Sequence, residues 1–212
     1  MTWPPALPST RTLVIAGLVV VTVALAGLGG WLWWTAYQRR VLEAHAAVMA
    51  RVQPALGPDA SAEARTTAMR ELEQLLAAYP SARTVPEAAY ELGNVRFAAA
   101  QYAPARTAYE LAVQRGASGL LRALARGGVA RTWEAERDFP RAAEAYAALV
   151  KDLDPRSFLY EDALMDQGRC LELAGKKDEA IAAYQRVLKD VPTAKRADDV
   201  RSRLASLGTA VR

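Results

Sequence analysis

Residues 162–191 read DALMDQGRCLELAGKKDEAIAAYQRVLKDV, and the rest of the chain is ordered by what that segment repeats. Laid over Glu87–Gly116 and Leu124–Leu153, it brings Gly168 onto Gly93 and Ala130, Ala180 onto Ala105 and Ala142, and Tyr184 onto Tyr109 and Tyr146. Each of the three sets is spaced by 37 and then 38 residues. Periods of this size are the signature of stacked helical hairpins, in which no unit buries its apolar face alone. The expected fold class is therefore all-α, an α-solenoid of stacked helical hairpins.

The repeated residue types follow from packing. A small residue midway along the first helix of each hairpin (Gly93, Ala130, Gly168) lets the second helix come close, and Ala105, Ala142 and Ala180 accept that contact. Tyr109, Tyr146 and Tyr184 lie one turn further on the same face and plug the gap to the next hairpin. Pro80 and Pro192 end second helices, with Pro155 near the equivalent place, because proline lacks the N–H and clashes with the preceding turn. Short turns at Ala100-Gln101-Tyr102 and Gly175-Lys176-Lys177-Asp178 separate paired helices. Thr84-Val85-Pro86-Glu87 fits a capping box opening the first full hairpin. Upstream, Asp59 or Ser61 is expected to cap a helix through Tyr79, with Ala68, Leu72, Leu75 and Leu76 on one face.

This set of residues resembles the tetratricopeptide repeat (TPR): a small residue in each helix, an aromatic one turn on, and a closing proline. The third unit, with Gly168, Ala180, Tyr184 and Pro192, matches best. The middle unit departs with Ala130 in place of glycine and Trp133 where Tyr or Leu is common. The spacing exceeds the usual repeat of about 34 residues, which implies longer turns between units. Ser61–Tyr79 reads as the second helix of a degenerate leading hairpin, and Lys195 to Leu207 as a cap with a polar outer face.

Ahead of the repeats, Leu13–Trp34 (LVIAGLVVVTVALAGLGGWLWW) carries no charge. As a helix at about 1.5 Å per residue, such a run matches a hydrocarbon core about 30 Å thick. Trp31, Trp33, Trp34 and Tyr37 cluster at one end, where amphipathic rings prefer the headgroup zone, and Arg39 and Arg40 close it. The expectation is a single N-terminal transmembrane helix that contacts the lipid bilayer through Leu13–Trp34. Ala24-Leu25-Ala26 also has the small-x-small form of a leader-cleavage site, so a removed leader is the competing reading. Against it, the apolar run continues through Gly27-Leu28-Gly29-Gly30 to the tryptophans. Those glycines would admit a second helix at close range, or only kink the span.

The expected layout is a tail over 1–12 and the span over 13–34. A membrane-emergent helix and turn follow over 35–58, then repeats over 59–194 and a capping helix and tail over 195–212. The net charge of +4 at pH 7 comes from interspersed residues of both signs, so no nucleic-acid stripe is expected. One cysteine, Cys170, leaves stability to packing. As an architecture, the chain resembles the ancillary subunit of the bacterial Sec translocon, a single-pass inner-membrane protein with a periplasmic TPR domain. A second resemblance, carried by Tyr79-Pro80-Ser81 and Ala88 to Gly93, is to the cell-division coordinator of the Tol–Pal system and to TPR-like subunits of outer-membrane assembly. The first resemblance implies a bacterial inner-membrane location with a periplasmic domain. The span's flanks differ by about one charge and lean the other way, too slightly to decide orientation.

No catalytic or metal-ligating constellation is apparent. His45 stands alone, Cys170 reads as a small buried thiol, and no glycine-rich phosphate loop follows a strand. Glu161-Asp162 and Asp198-Asp199 sit near helix starts, where they favour the helix dipole. The expectation is a protein that is no enzyme and carries no cofactor, acting as a scaffold for protein partners (a membrane complex, client peptides, or further copies of itself in a homo-oligomer). By the repeat's geometry the facing positions are Tyr90, Asn94 and Phe97 in the first unit, Arg131 and Glu134 in the second, and Met165, Arg169 and Glu172 in the third; the competing reading makes Tyr90, Phe97 and Met165 simply core. Tyr90 stands where a carboxylate-clamping TPR would need lysine.

Overall fold

The computed structural model describes residues 10–209. The tail expected over 1–12 lies outside the described residues up to residue 9, as do residues 210–212 of the C-terminal tail. Among the described residues every regular element is helical. The chain divides into two units, Met1–Ala44 and His45–Arg212.

Helix α1 runs from Thr10 to Val52. It starts ahead of Leu13 because no breaker separates the two. Leu13–Trp34 exposes its large apolar side chains on all sides, Val20 at 67% and Trp33 at 69%. Its one hydroxyl, Thr22 Oγ1, is satisfied by donating to Leu18 O at 2.8 Å, so the polar groups left over are the indole N–H donors of the tryptophans at its end. Trp33 stacks on Tyr37 with ring centroids 5.9 Å apart. Among the described residues this is one helix long and apolar enough to cross a membrane.

In the second unit a 3-10 turn, Gln53–Leu56, follows α1 where Pro54 removes a backbone donor. The hairpin helices are α2 (Ala62–Ala78), α3 (Val85–Ala98), α4 (Tyr102–Gln114), α5 (Gly119–Ala135), α6 (Phe139–Asp152), α7 (Phe158–Leu173), α8 (Lys177–Asp190) and α9 (Ala197–Ser206). Each packs on the next, and the first helices α3 and α5 of successive hairpins also meet. Ser61, and not Asp59, caps α2, its Oγ accepting from Ala64 N at 3.0 Å. The capping box expected at Thr84 does not form. Thr84 is itself helical (φ −85°, ψ −3°), so its hydroxyl cannot turn back on the first N–H groups, and Glu87 stands 4.0 Å from His45 Nε2 instead.

The repeat register appears three times in the turns. Ala100, Arg137 and Gly175, again 37 and 38 residues apart, adopt left-handed backbones with φ of 58°, 62° and 75°. In each turn the following N–H reaches back to close the helix: Gln101 to Arg96 O, Asp138 to Trp133 O and Lys176 to Leu171 O, all at 2.9 Å. Ala105, Ala130, Ala142 and Ala180 are fully buried, and Tyr109, Tyr146 and Tyr184 are 3% exposed or less. A Cβ on Gly93 or Gly168 would fall 2.5 Å from a ring carbon of Tyr109 or Tyr184, so these close approaches admit glycine alone. Gly128, which sequence reasoning passed over, is a third such point, 2.7 Å from the other edge of Tyr109. Val200 and Leu204 of α9 close the last hairpin, while Pro192 lies exposed just past α8.

Candidate protein-docking groove

The first helices α3, α5 and α7 bring most of the sequence-predicted facing residues together, and largely against one another. Arg169 is joined to Glu134 by two hydrogen bonds, the one from Nη2 at 3.1 Å, and the same Nη2 donates to Asp166 at 2.7 Å. Those bonds hold the Arg169 guanidinium above its ordinary pKa, ahead of the opposing effect of its burial. Tyr146 donates its hydroxyl to the same Glu134 at 3.2 Å. Glu172 accepts from Arg203 of α9 at 3.0 Å. Asn94 accepts the Tyr109 hydroxyl at 2.8 Å and donates to Glu91 at 3.1 Å. Phe97 lies beside Tyr102, with the Arg131 guanidinium 5.8 Å from its ring centre.

These contacts pin successive hairpins to each other: α5 to α7 through Glu134 and Arg169, α7 to α9 through Glu172 and Arg203. Met165 is not a facing residue. It is 2% exposed within the core around Tyr160, Leu164 and Tyr184, where a flexible thioether fills space between helices. That leaves Tyr90 and Arg131. Both line a cavity of about 230 Å³ bounded also by Leu124 and Gly127 of α5 and Leu159 and Asp166 of α7. Sequence reasoning missed Gly127 and Leu124 because neither belongs to the repeated pattern.

Elsewhere the chemistry is quiet. His45 is half-buried, and Cys170 is fully buried, its thiol pushed up to about 12 by burial and by the Glu134 carboxylate. Among the described residues no group of three His, Cys, Asp or Glu side chains is placed to hold a metal ion. Glu161 accepts from the backbone N–H of Arg196 at 2.6 Å and of Lys195 at 3.1 Å, tying α7 to the entry of α9.

The same succession of hairpins is matched over residues 11–209 by the tetratricopeptide repeat-like domain family. The chain belongs to that family. Domains of this TPR-like fold generally act as non-enzymatic scaffolds for contacts between proteins. Among solved structures the TPR-like domain is similar to the nearly identical TPR-like repeats of a putative kinesin light chain from Podosopora anserina. That structure is 16% identical, covering 80% of this chain and 92% of that one, with a TM-score of 0.54. A point variant of the same Podosopora protein is 17% identical, covering 81% and 92%, with a TM-score of 0.55. At such identities the likeness is one of fold. No curated protein matches the chain.

Proposed function

We propose that the protein is a membrane-anchored TPR-like scaffold, acting as an ancillary subunit of the Sec translocon or of a related envelope protein-assembly complex. In this reading residues 13–34 span a bacterial inner membrane, 35–58 lead out of it, and the repeats over 59–194 stand on the periplasmic side. The observation that carries it is the pairing, in one chain, of an uncharged helix exposing apolar side chains in every direction with a repeat domain of a scaffold family. Water solvates such a helix poorly, whereas lipid does so without cost. The groove between α3, α5 and α7 then supplies the binding surface.

The test is a reporter fused after Arg212, combined with purification in mild detergent after crosslinking in cells. The expected result is an externally facing reporter and integral-membrane partners in the eluate. A cytoplasmic reporter, or an eluate holding this chain alone, would overturn the translocon reading.

A second reading has the chain self-associate, or serve another membrane complex of Tol–Pal-like or respiratory type. The favouring observation is that Gly17, Gly27, Gly29 and Gly30 have open space where a side chain would be, which permits close approach of another span. Crosslinking between cysteines placed at Gly27 or Gly30 in membranes separates the two readings. A homodimer band favours self-association, and its absence favours the first.

A further inference from the structure

The first turns of α5 and α7 share one edge of the repeat domain. Both helices pack on α6, and Leu124 of α5, Leu149 in the last turn of α6 and Leu159 of α7 bound one cavity. At the outer ends of those turns stand Leu120 and Phe158, the equivalent residues of successive hairpins, 38 apart. They are 53% and 71% exposed, which leaves Phe158 as open to water as Trp33, at 69%, on the apolar helix. The Cα–Cβ bond of a helical residue tilts towards the N-terminus, so side chains in a first turn lean out past the helix end. Among the described residues of His45–Arg212 the one other exposed large apolar residue is Leu173, at the far end of α7.

The charge at this edge is sorted. Its carboxylates are engaged within the domain. Asp190 accepts from the Tyr160 hydroxyl at 2.6 Å and pairs with Arg186 at 2.9 Å. Asp152 pairs with Arg126, Asp154 with Arg156 at 2.9 Å and Asp162 with Arg196 at 3.6 Å. Glu161 is held by the backbone N–H groups of Lys195 and Arg196. The cations are not so engaged. Arg122, Lys151, Lys189 and Lys195 are exposed, and among the described residues none of their side chains forms an ion pair or hydrogen bond. Lys151 and Lys189 are again 38 residues apart. The opposite edge, at the turns within hairpins, sets Asp138, Asp178 and Glu179 against Arg137, Lys176 and Lys177 and has no such excess.

Unpaired cations around protruding apolar side chains fit one surface chemistry, anionic lipid headgroups above an acyl layer. A tether to the bilayer also holds the domain near that surface at high effective concentration. We infer that this edge docks on anionic lipid: Arg122, Lys151, Lys189 and Lys195 meet headgroup phosphates, while Leu120 and Phe158 enter the acyl boundary. This rests on the membrane-anchored reading and adds to it a second, salt-sensitive contact.

The test uses the full chain in vesicles, carrying the fluorophore NBD, whose emission rises on leaving water. It is attached at Ser118→Cys, beside Leu120, or at Gln101→Cys on the opposite edge, both exposed positions, while the buried Cys170 stays unlabelled. Adding phosphatidylglycerol to phosphatidylcholine vesicles should raise the emission at residue 118 about twofold, reversibly with salt, and leave that at residue 101 unchanged. Phe158→Ser, or Lys151→Glu together with Lys189→Glu, should remove most of the rise. Because these side chains are exposed, the urea midpoint should stay nearly constant.

No rise on adding phosphatidylglycerol, an equal rise at residue 101, or a full rise in those variants would overturn the inference. So would a rise that follows the protein-to-lipid ratio instead of lipid charge, which would put a second copy of this chain on the edge. Flotation of the vesicles at high salt reads the anchor separately. A chain that floats with a silent label loses the edge alone, and one that stays behind loses the membrane-anchored reading as well.

Discussion

Gly93 and Tyr109 share one packing space: a Cβ on the glycine would stand 2.5 Å from both Cδ1 and Cε1 of the ring. The ring is held at its far end by Asn94, which accepts the hydroxyl at 2.8 Å, and at its other edge by Gly128. It cannot withdraw. Gly93→Ala should therefore destabilise the fold by about 1–3 kcal/mol through overpacking, despite alanine's better helix propensity. Tyr109→Ala should cost about 3–5 kcal/mol through the cavity it opens. The decisive measurement is a double-mutant cycle by urea unfolding. Gly93→Ala combined with Tyr109→Leu should lose less than the sum of the two single changes, because the smaller side chain makes room for the methyl. Strict additivity would mean that the two residues do not compete for space.

The left-handed turn residues offer the opposite sign. Ala100 (φ 58°) and Arg137 (φ 62°) adopt a conformation that costs an L-residue about 1–2 kcal/mol, while Gly175 holds the equivalent place without that cost. Ala100→Gly and Arg137→Gly should each raise stability by about 0.5–1 kcal/mol, and Gly175→Ala should lower it by a similar amount. Thermal unfolding of the three variants checks this. A loss on either change to glycine would show that its extra freedom in the unfolded chain outweighs the relieved strain.

The repeat architecture was legible because its determinants are local and recur: small residues facing tyrosines at 37- and 38-residue spacing, with proline after the second helix. The turn geometry was hidden because two of the three left-handed positions are alanine and arginine, which carry no turn signal. Thr84 misled through its spacing to Glu87, since the pattern cannot register that Glu87 stands by His45. The groove was half legible. Helical phase puts Asn94, Glu134, Arg169 and Glu172 on the facing side, but which of them pair depends on how neighbouring hairpins stack. Phase also puts Met165 on that side, but it packs into the core around Tyr160, Leu164 and Tyr184. Gly127 escaped notice because a missing side chain has no motif.

Charge at the groove divides into structural and free parts, and mutation should separate them. Glu134 accepts from Arg169 and from Tyr146, both on other helices. Glu134→Ala leaves a half-buried guanidinium with only Asp166 and orphans a buried hydroxyl, at a cost of about 1–3 kcal/mol. Arg131→Ala removes an exposed cation paired with no carboxylate among the described residues, and the change should stay within about 0.5 kcal/mol. Urea midpoints for the two variants measured side by side are the check. Comparable losses would mean that Arg131 also holds hairpins together and is not available to a partner.

Alkaline pH should unfold the repeat domain through its buried acids. Burial pushes the Cys170 thiol up to about 12, with the Glu134 carboxylate adding to it, and holds Tyr184 at about 12 with help from Glu172. Burial also raises Tyr109 and Tyr146 well above the ordinary phenol. Each group is neutral in the folded state where the unfolded chain would already have lost its proton, from about pH 8.5 for the thiol and about pH 10 for the phenols. Between those values and the folded ones the native state binds more protons, so stability falls as pH rises. The contribution is complete below about pH 8.5 and is lost progressively towards pH 12. Unfolding free energies from urea melts between pH 7.5 and 10.5 should be flat at first, then decline with a slope approaching about 1.4 kcal/mol per pH unit for the thiol and steepening once the tyrosines join, the midpoints falling with them. Cys170→Ala should start lower at neutral pH, because a buried atom is lost, and should hold level until about pH 10. A native midpoint constant to pH 10.5 would mean that the thiol ionises in place, which a fully buried sulfur between α7 and its neighbours does not allow.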